Sequence, residues 1–151
     1  MQQKWIDAVT AKQSLAIFTD NADAVLWQSN ASPVSALSQQ YFQNTLPEAK
    51  YHSLYANQLG IALALYAKQF GVSSCYACKV SQYGLQVLQQ AGIAVTYEEL
   101  IPLVHSSKNE SEVCPIEQYL ADHPGEEERW SFLKDRFTGE QPAGRSCSIF
   151  K

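Results

Sequence analysis

Residues 58–100, QLGIALALYAKQFGVSSCYACKVSQYGLQVLQQAGIAVTYEEL, decide the fold of this chain. From Gln58 to Phe70 the residues Leu59, Ile61, Leu63, Leu65 and Tyr66 leave almost no polar face. That pattern predicts a central helix covered on most sides and ended by Gly71, with the short extended segment Tyr51 to Tyr55 leading into it. Val72 to Val80 then has strand character, and Ser81 is placed to cap a helix whose buried side is Leu85, Leu88 and Ala91. Gly92 closes that helix and Ile93 to Tyr97 reads as a further strand. Strand, helix, strand, helix, strand at this spacing calls for right-handed crossovers and parallel pairing.

Outward from this stretch, Trp5, Ile6 and Val9 lie on one face of a short amphipathic helix over about residues 3 to 12. Leu15 to Thr19 and Ala24 to Gln28 read as strands joined by the turn residues Asp20-Asn21-Ala22-Asp23, which makes a hairpin. Ser32-Pro33 is a helix start, with the serine hydroxyl positioned as a cap, and Leu37, Tyr41 and Phe42 form that helix's buried stripe up to Pro47. The expected architecture is an α/β fold: a three-layer α/β/α sandwich with a mixed sheet, opening with a β-hairpin. After Pro102-Leu103-Val104 a polar loop, His105 to Val113, leads to a helix beginning at Cys114-Pro115. Trp130, Leu133 and Phe137 predict a last amphipathic helix over about 126–137. Residues 1–138 are read as one domain and 139–151 as a loose tail.

Bulk composition agrees with one domain. The 151 residues are 46% hydrophobic and 17% charged, with no apolar run of about 18 residues to span a membrane. Eleven basic against fifteen acidic side chains give a formal net charge of −4, so no basic field draws in nucleic acid or an anionic membrane. The partners that remain are a small-molecule ligand, another protein or a second copy of the chain. The N-terminus leads into no apolar signal region, and the cysteines Cys75, Cys78, Cys114 and Cys147 are unevenly spread, so a reducing cytoplasm is the default expectation.

Several stretches resemble a known family: Gly60 to Val72, Tyr76-Ala77, Gly84 to Leu88 with Gly92-Ile93, Tyr97-Glu-Glu-Leu-Ile-Pro102, and Cys114-Pro-Ile-Glu117. Over residues 14–123 the chain resembles domain of unknown function family 1893, a prokaryotic family. The resemblance implies a cytidine-deaminase-like sandwich without a demonstrated activity. Typical members carry an acidic residue and two lysines around the start of the central helix, where this chain has Ala56, Asn57 and Ile61.

Zinc deamination needs a His or Cys followed two residues later by a glutamate, and a Pro-Cys-x-x-Cys at the next helix start. Here His52 is followed two residues later by Leu54, no proline precedes Cys75, and Cys75-x-x-Cys78 falls inside a strand, where positions three apart face opposite ways. Two ordinary strand cysteines explain the pair better than a redox or zinc site does, and no metal or cofactor is expected.

Cys114 stands at a helix start whose free amides and positive end favour a thiolate. With Pro115 and Glu117 it approximates a capping box, so its structural role is a helix cap, and its functional role is a nucleophile or ligand contact with His105 as the base. Open α/β sheets bind ligands at the carboxyl ends of their strands. That rule nominates Asn57 and Gln58, expected at the central helix start, together with Lys79, Ser81 and Gln82, and adds Cys114 and Glu117 as ligand contacts. The leading reading is a deaminase-like domain without zinc chemistry that binds a small, nucleotide-like metabolite. The alternatives are an enzyme using Cys114, and an interaction module or homo-oligomer that docks through Trp130 and Phe137 on the last helix.

Overall fold

The computed structural model describes residues 1–106 and 108–138. The expected tail at 139–151, Cys147 included, lies outside the described residues. The element order is α1 (Gln3–Thr10), β1 (Ala16–Thr19), β2 (Val25–Ser29), α2 (Pro33–Gln43), β3 (Ser53–Leu59), α3 (Ile61–Phe70), β4 (Ser74–Ser81), α4 (Gln82–Gln90), β5 (Ala94–Ile101), α5 (Pro115–Asp122) and α6 (Glu126–Thr138).

The five strands form one mixed sheet in the order β2-β1-β3-β4-β5. The hairpin strand β1 runs antiparallel to both β2 and β3, while β3, β4 and β5 are parallel and joined by α3 and α4. Alternation along the strands divides the core. Ala16, Phe18, Leu54, Ala56, Cys75 and Ala77 face the larger cluster, whereas Ile17, Tyr55 and Tyr76 face the smaller one with Val9 of α1. The layers are therefore unequal. On one face only α1 covers the sheet, by packing on β1, β3 and β4; on the other lie α2, α3 and α4, with α5 against α3 and α6 against α2. The edge strand β5 is mostly exposed, Leu100 at 49%.

Leu59 and Val80 break the alternation. Each lies three residues beyond an inward-facing alanine, Ala56 or Ala77, and yet belongs to the same core cluster. The slip coincides with the strand ends that face the functional site.

The central helix is shorter than its apolar run, because β3 extends to Leu59 and Gly60 forms the cap. Asn57 and Gln58 thus sit on a strand end rather than a helix start. The reason is tertiary: a Cβ on Gly60 would lie 2.6 Å from Glu117 Oε1 and 2.9 Å from Val104 Cγ2. A Cβ on Gly84, at the start of α4, would lie 2.9 Å from the Gly60 backbone. Gly84 thus lets α4 begin against the start of α3, and Gly60 leaves room there for Glu117 and Val104. Gly71 does the different job of ending α3, at a φ of 74° that suits a residue with no side chain.

Trp130 and Phe137 both pack partly inward. The Trp130 ring packs against Tyr66 at 5.0 Å and Tyr41 at 5.6 Å between centroids, and both residues pack on the main core. That packing fixes α6 to α2 and leaves both rings half-buried.

Candidate functional site

A cavity of about 550 Å³ opens at the carboxyl end of β3, between the starts of α2, α3 and α5. Its floor is apolar, built by Leu15, Ala62, Leu63, Val104 and Ile116, and Asn30, Ser32 and Ser35 give one side a polar wall. Lys12, His105, Lys108 and Arg136 bring basic groups to the rim.

Three helix starts meet here, each finished differently. At α3 the Ile61 amide is donated to Glu117 Oε1 at 2.9 Å. At α2 the N-cap residue Ser32 adopts φ 43°, and its hydroxyl makes no cap bond. The expected serine cap fails because that left-handed conformation departs from the extended geometry that aims a cap oxygen at the first-turn amides. At α5 Cys114 is the N-cap residue, but its thiol also makes no cap bond. The capping box cannot close either: the Cys114 amide is donated to Val104 O at 3.0 Å, and the Glu117 carboxylate is turned to α3 instead.

Glu117 is only 2% exposed. Its second oxygen accepts the Val104 amide at 3.4 Å, and the Ser81 hydroxyl also bonds to the carboxylate. Burial pushes its carboxyl above the ordinary glutamate range, against those three donors and the pull of Arg129. Ser81 accepts the Gly84 amide at 3.1 Å as the cap of α4, so one hydroxyl joins the starts of α3, α4 and α5. It lies buried behind Gly60 and Gly84, outside the cavity wall; Lys79 and Gln82 are exposed and also lie outside that wall.

Asn57 and Gln58 both reach the cavity, with their amides already engaged. Asn57 Nδ2 donates to the Val9 carbonyl at 2.9 Å, which ties β3 to α1. Gln58 Oε1 accepts the His105 amide at 2.8 Å and its Nε2 donates to the His105 carbonyl at 3.4 Å. The side chain thereby acts as a short extra strand that holds the following loop over the cavity. That loop is also clasped by the His105–Val113 bridge and by an ion pair between Lys12 and Glu110.

His105 and Cys114 both line the cavity. The His105 ring places Nδ1 2.7 Å from the Glu110 carbonyl, which can only accept, so Nδ1 carries the proton and Nε2 is the basic nitrogen of the neutral ring. Among the described residues no hydrogen bond joins that ring to the Cys114 thiol, so a preformed thiol–imidazole pair is not part of this arrangement.

Cys75 and Cys78 point to opposite faces of β4, Cys75 into the main core and Cys78 toward α1. Burial pushes the Cys75 thiol up to about 12. His52 precedes the start of β3, at the end of the sheet away from the cavity, so it cannot join Cys114 in one ligand set. Among the described residues no group of three or more His, Cys, Asp or Glu side chains is placed to hold a metal ion. Nor is any described helix long and apolar enough to cross a membrane.

The signals that sequence reasoning missed are Arg136 and Lys108, which adjoin the site only because α6 folds back along α2 and the 105–113 loop turns inward. Their helical and loop contexts offered no local clue.

Comparison with known proteins agrees with this architecture. The crystal structure of a DUF1893 family protein from Thermotoga maritima superposes with a TM-score of 0.69 at 17% identity, covering 89% of this chain and 88% of that one. Identity at that level speaks for the fold alone. No curated protein matches the chain. The family model described as Domain of unknown function (DUF1893) matches residues 6–137, a span that takes in every strand, the three helix starts around the cavity and Phe137 at its edge. By that match the chain belongs to the DUF1893 family.

Proposed function

We propose that this protein is a small-molecule-binding domain whose ligand occupies the cavity between the starts of α2, α3 and α5. The observation that carries the reading is the cavity itself: about 550 Å³, with an apolar floor and a few convergent polar groups, at the carboxyl edge of the parallel strands. Ligand sites of globular proteins have this size, composition and position. On this reading the α/β sandwich serves as a scaffold for binding.

The test is a metabolite panel screened by thermal shift against the wild-type chain and a Ser35→Trp variant, whose indole would fill the cavity from the first turn of α2. A compound that raises the melting temperature of wild type and leaves the variant unmoved supports the reading. Compounds that stabilise both proteins equally would place binding elsewhere and overturn it.

A further inference from the structure

Two opposed features of the cavity narrow the ligand's chemistry. The chain as a whole is acidic, with eleven basic against fifteen acidic side chains. Yet the cavity wall holds the basic side chains Lys12, Lys108 and Arg136 and only two carboxylates, Glu110 and Glu117. Both carboxylates are already matched. Glu110 pairs with Lys12, and Glu117 is turned into the protein to receive the Ile61 and Val104 amides. Lys108 and Arg136 make no ion pair among the described residues, so within that part of the chain the rim's two basic side chains are not matched by a carboxylate. Beneath that rim, Leu15, Ala62, Leu63, Val104 and Ile116 offer a floor with no charge.

We infer that the ligand is an organic anion with an apolar body, its carboxylate or phosphate held at the rim by Arg136 and Lys108 and its body lying on that floor. This rests on the cavity being the binding site. A guanidinium presents a planar fork of donors that matches either oxyanion, and an ammonium adds a point charge. The uncapped first turns of α2 and α5 would add to this attraction but do not replace it. Both basic side chains are exposed, so their pull on the ligand weakens as salt rises.

The experiment uses the full chain and matched probes: benzoate against benzamide, and phenyl phosphate against phenol, with binding followed by amide chemical shifts at Ala62 and Cys114. Three variants are compared: Arg136→Gln with Lys108→Gln, Ser35→Trp, and Lys134→Gln as a control for charge on the other side of α6. The expected result is binding of the two anions and not of their neutral partners. Affinity should fall about tenfold in the double variant and stay unchanged in the Lys134→Gln control. Whether benzoate or phenyl phosphate binds more tightly decides which oxyanion the rim suits. If neutral and anionic probes bind alike, and Ser35→Trp blocks both, the cavity reading stands and the anion inference falls. If no probe shifts either amide, both are overturned.

Discussion

Glu117 Oε1 accepts the backbone amide of Ile61 at 2.9 Å, joining residues 56 apart in the chain. A side chain from the first turn of α5 thus finishes the start of α3, a task that Gly60, without a side chain, cannot perform itself. Replacing Glu117 with alanine would leave buried amides without their acceptor and cost about 1–3 kcal/mol. Glutamine keeps one acceptor oxygen, but its nitrogen would confront the Val104 amide, so Glu117→Gln should fall between wild type and Glu117→Ala in urea denaturation. Equal midpoints for all three proteins would refute the bridging role.

The same carboxyl sets a pH dependence with a definite sign. Burial raises its titration above the ordinary value of 4.5, so the folded chain binds this proton more tightly than the unfolded chain. Stability from this group is therefore greatest at acidic pH. It falls as pH rises from the ordinary value through the raised one, then levels off. Glu110 behaves oppositely: its pairing with Lys12 lowers its titration, so its contribution is present above the ordinary value and lost as pH falls through the lowered one. Because Glu110 is exposed, added salt should erase its share. Melting temperatures of wild type and Glu117→Gln between about pH 4 and 8 isolate the buried group. A gap between the two proteins that does not change with pH would contradict this account.

Gly60 and Gly84 form one joint, and their substitutions should behave as a pair. A methyl at Gly60 would meet Glu117 Oε1 and Val104, and a methyl at Gly84 would meet the Gly60 backbone at 2.9 Å and Ser81 Oγ at 2.9 Å. Each alanine should destabilise by about 1–3 kcal/mol through overpacking. The two costs should not add, since both methyls press on the Gly60 backbone, one against Glu117 and Val104 and the other from α4. Additive costs in a denaturation cycle would show that the two contacts are independent.

How far the fold could be read from sequence follows from which interactions are local. The hairpin turn, Gly71 and Gly92 at helix ends and the Ser81 cap all act within a few residues, and each is legible in the sequence. The β3–α3 boundary was misplaced because what ends the strand at Leu59 is a carboxylate from α5, and no window around Gln58 contains Glu117. The spacing of Trp130, Leu133 and Phe137 marks the apolar stripe of an amphipathic helix but not what it packs on; the partners of Trp130, Tyr41 and Tyr66, lie far away in the chain on α2 and α3. At the site, the carboxyl-end rule led to Asn57 and Gln58, whereas Arg136 enters the cavity wall from the far end of the chain.

The cysteines offer a last check that reads fold and site together. Cys75 is 1% exposed, and its thiol is pushed up to about 12, so it should resist alkylation near neutral pH. Cys78 and Cys114 are half-buried and should react. In a Cys147→Ser background, mass spectrometry should find two labels on the native chain and a third only in denaturant. A compound bound in the cavity should then slow labelling of Cys114, which lines it, and leave Cys78 unchanged. Cys78 sits across the sheet with its sulfur 3.5 Å from Thr10 Oγ1 and has no part in the cavity wall. Equal protection of both thiols would point to a global tightening of the fold, and protection of Cys78 alone would place the ligand under α1.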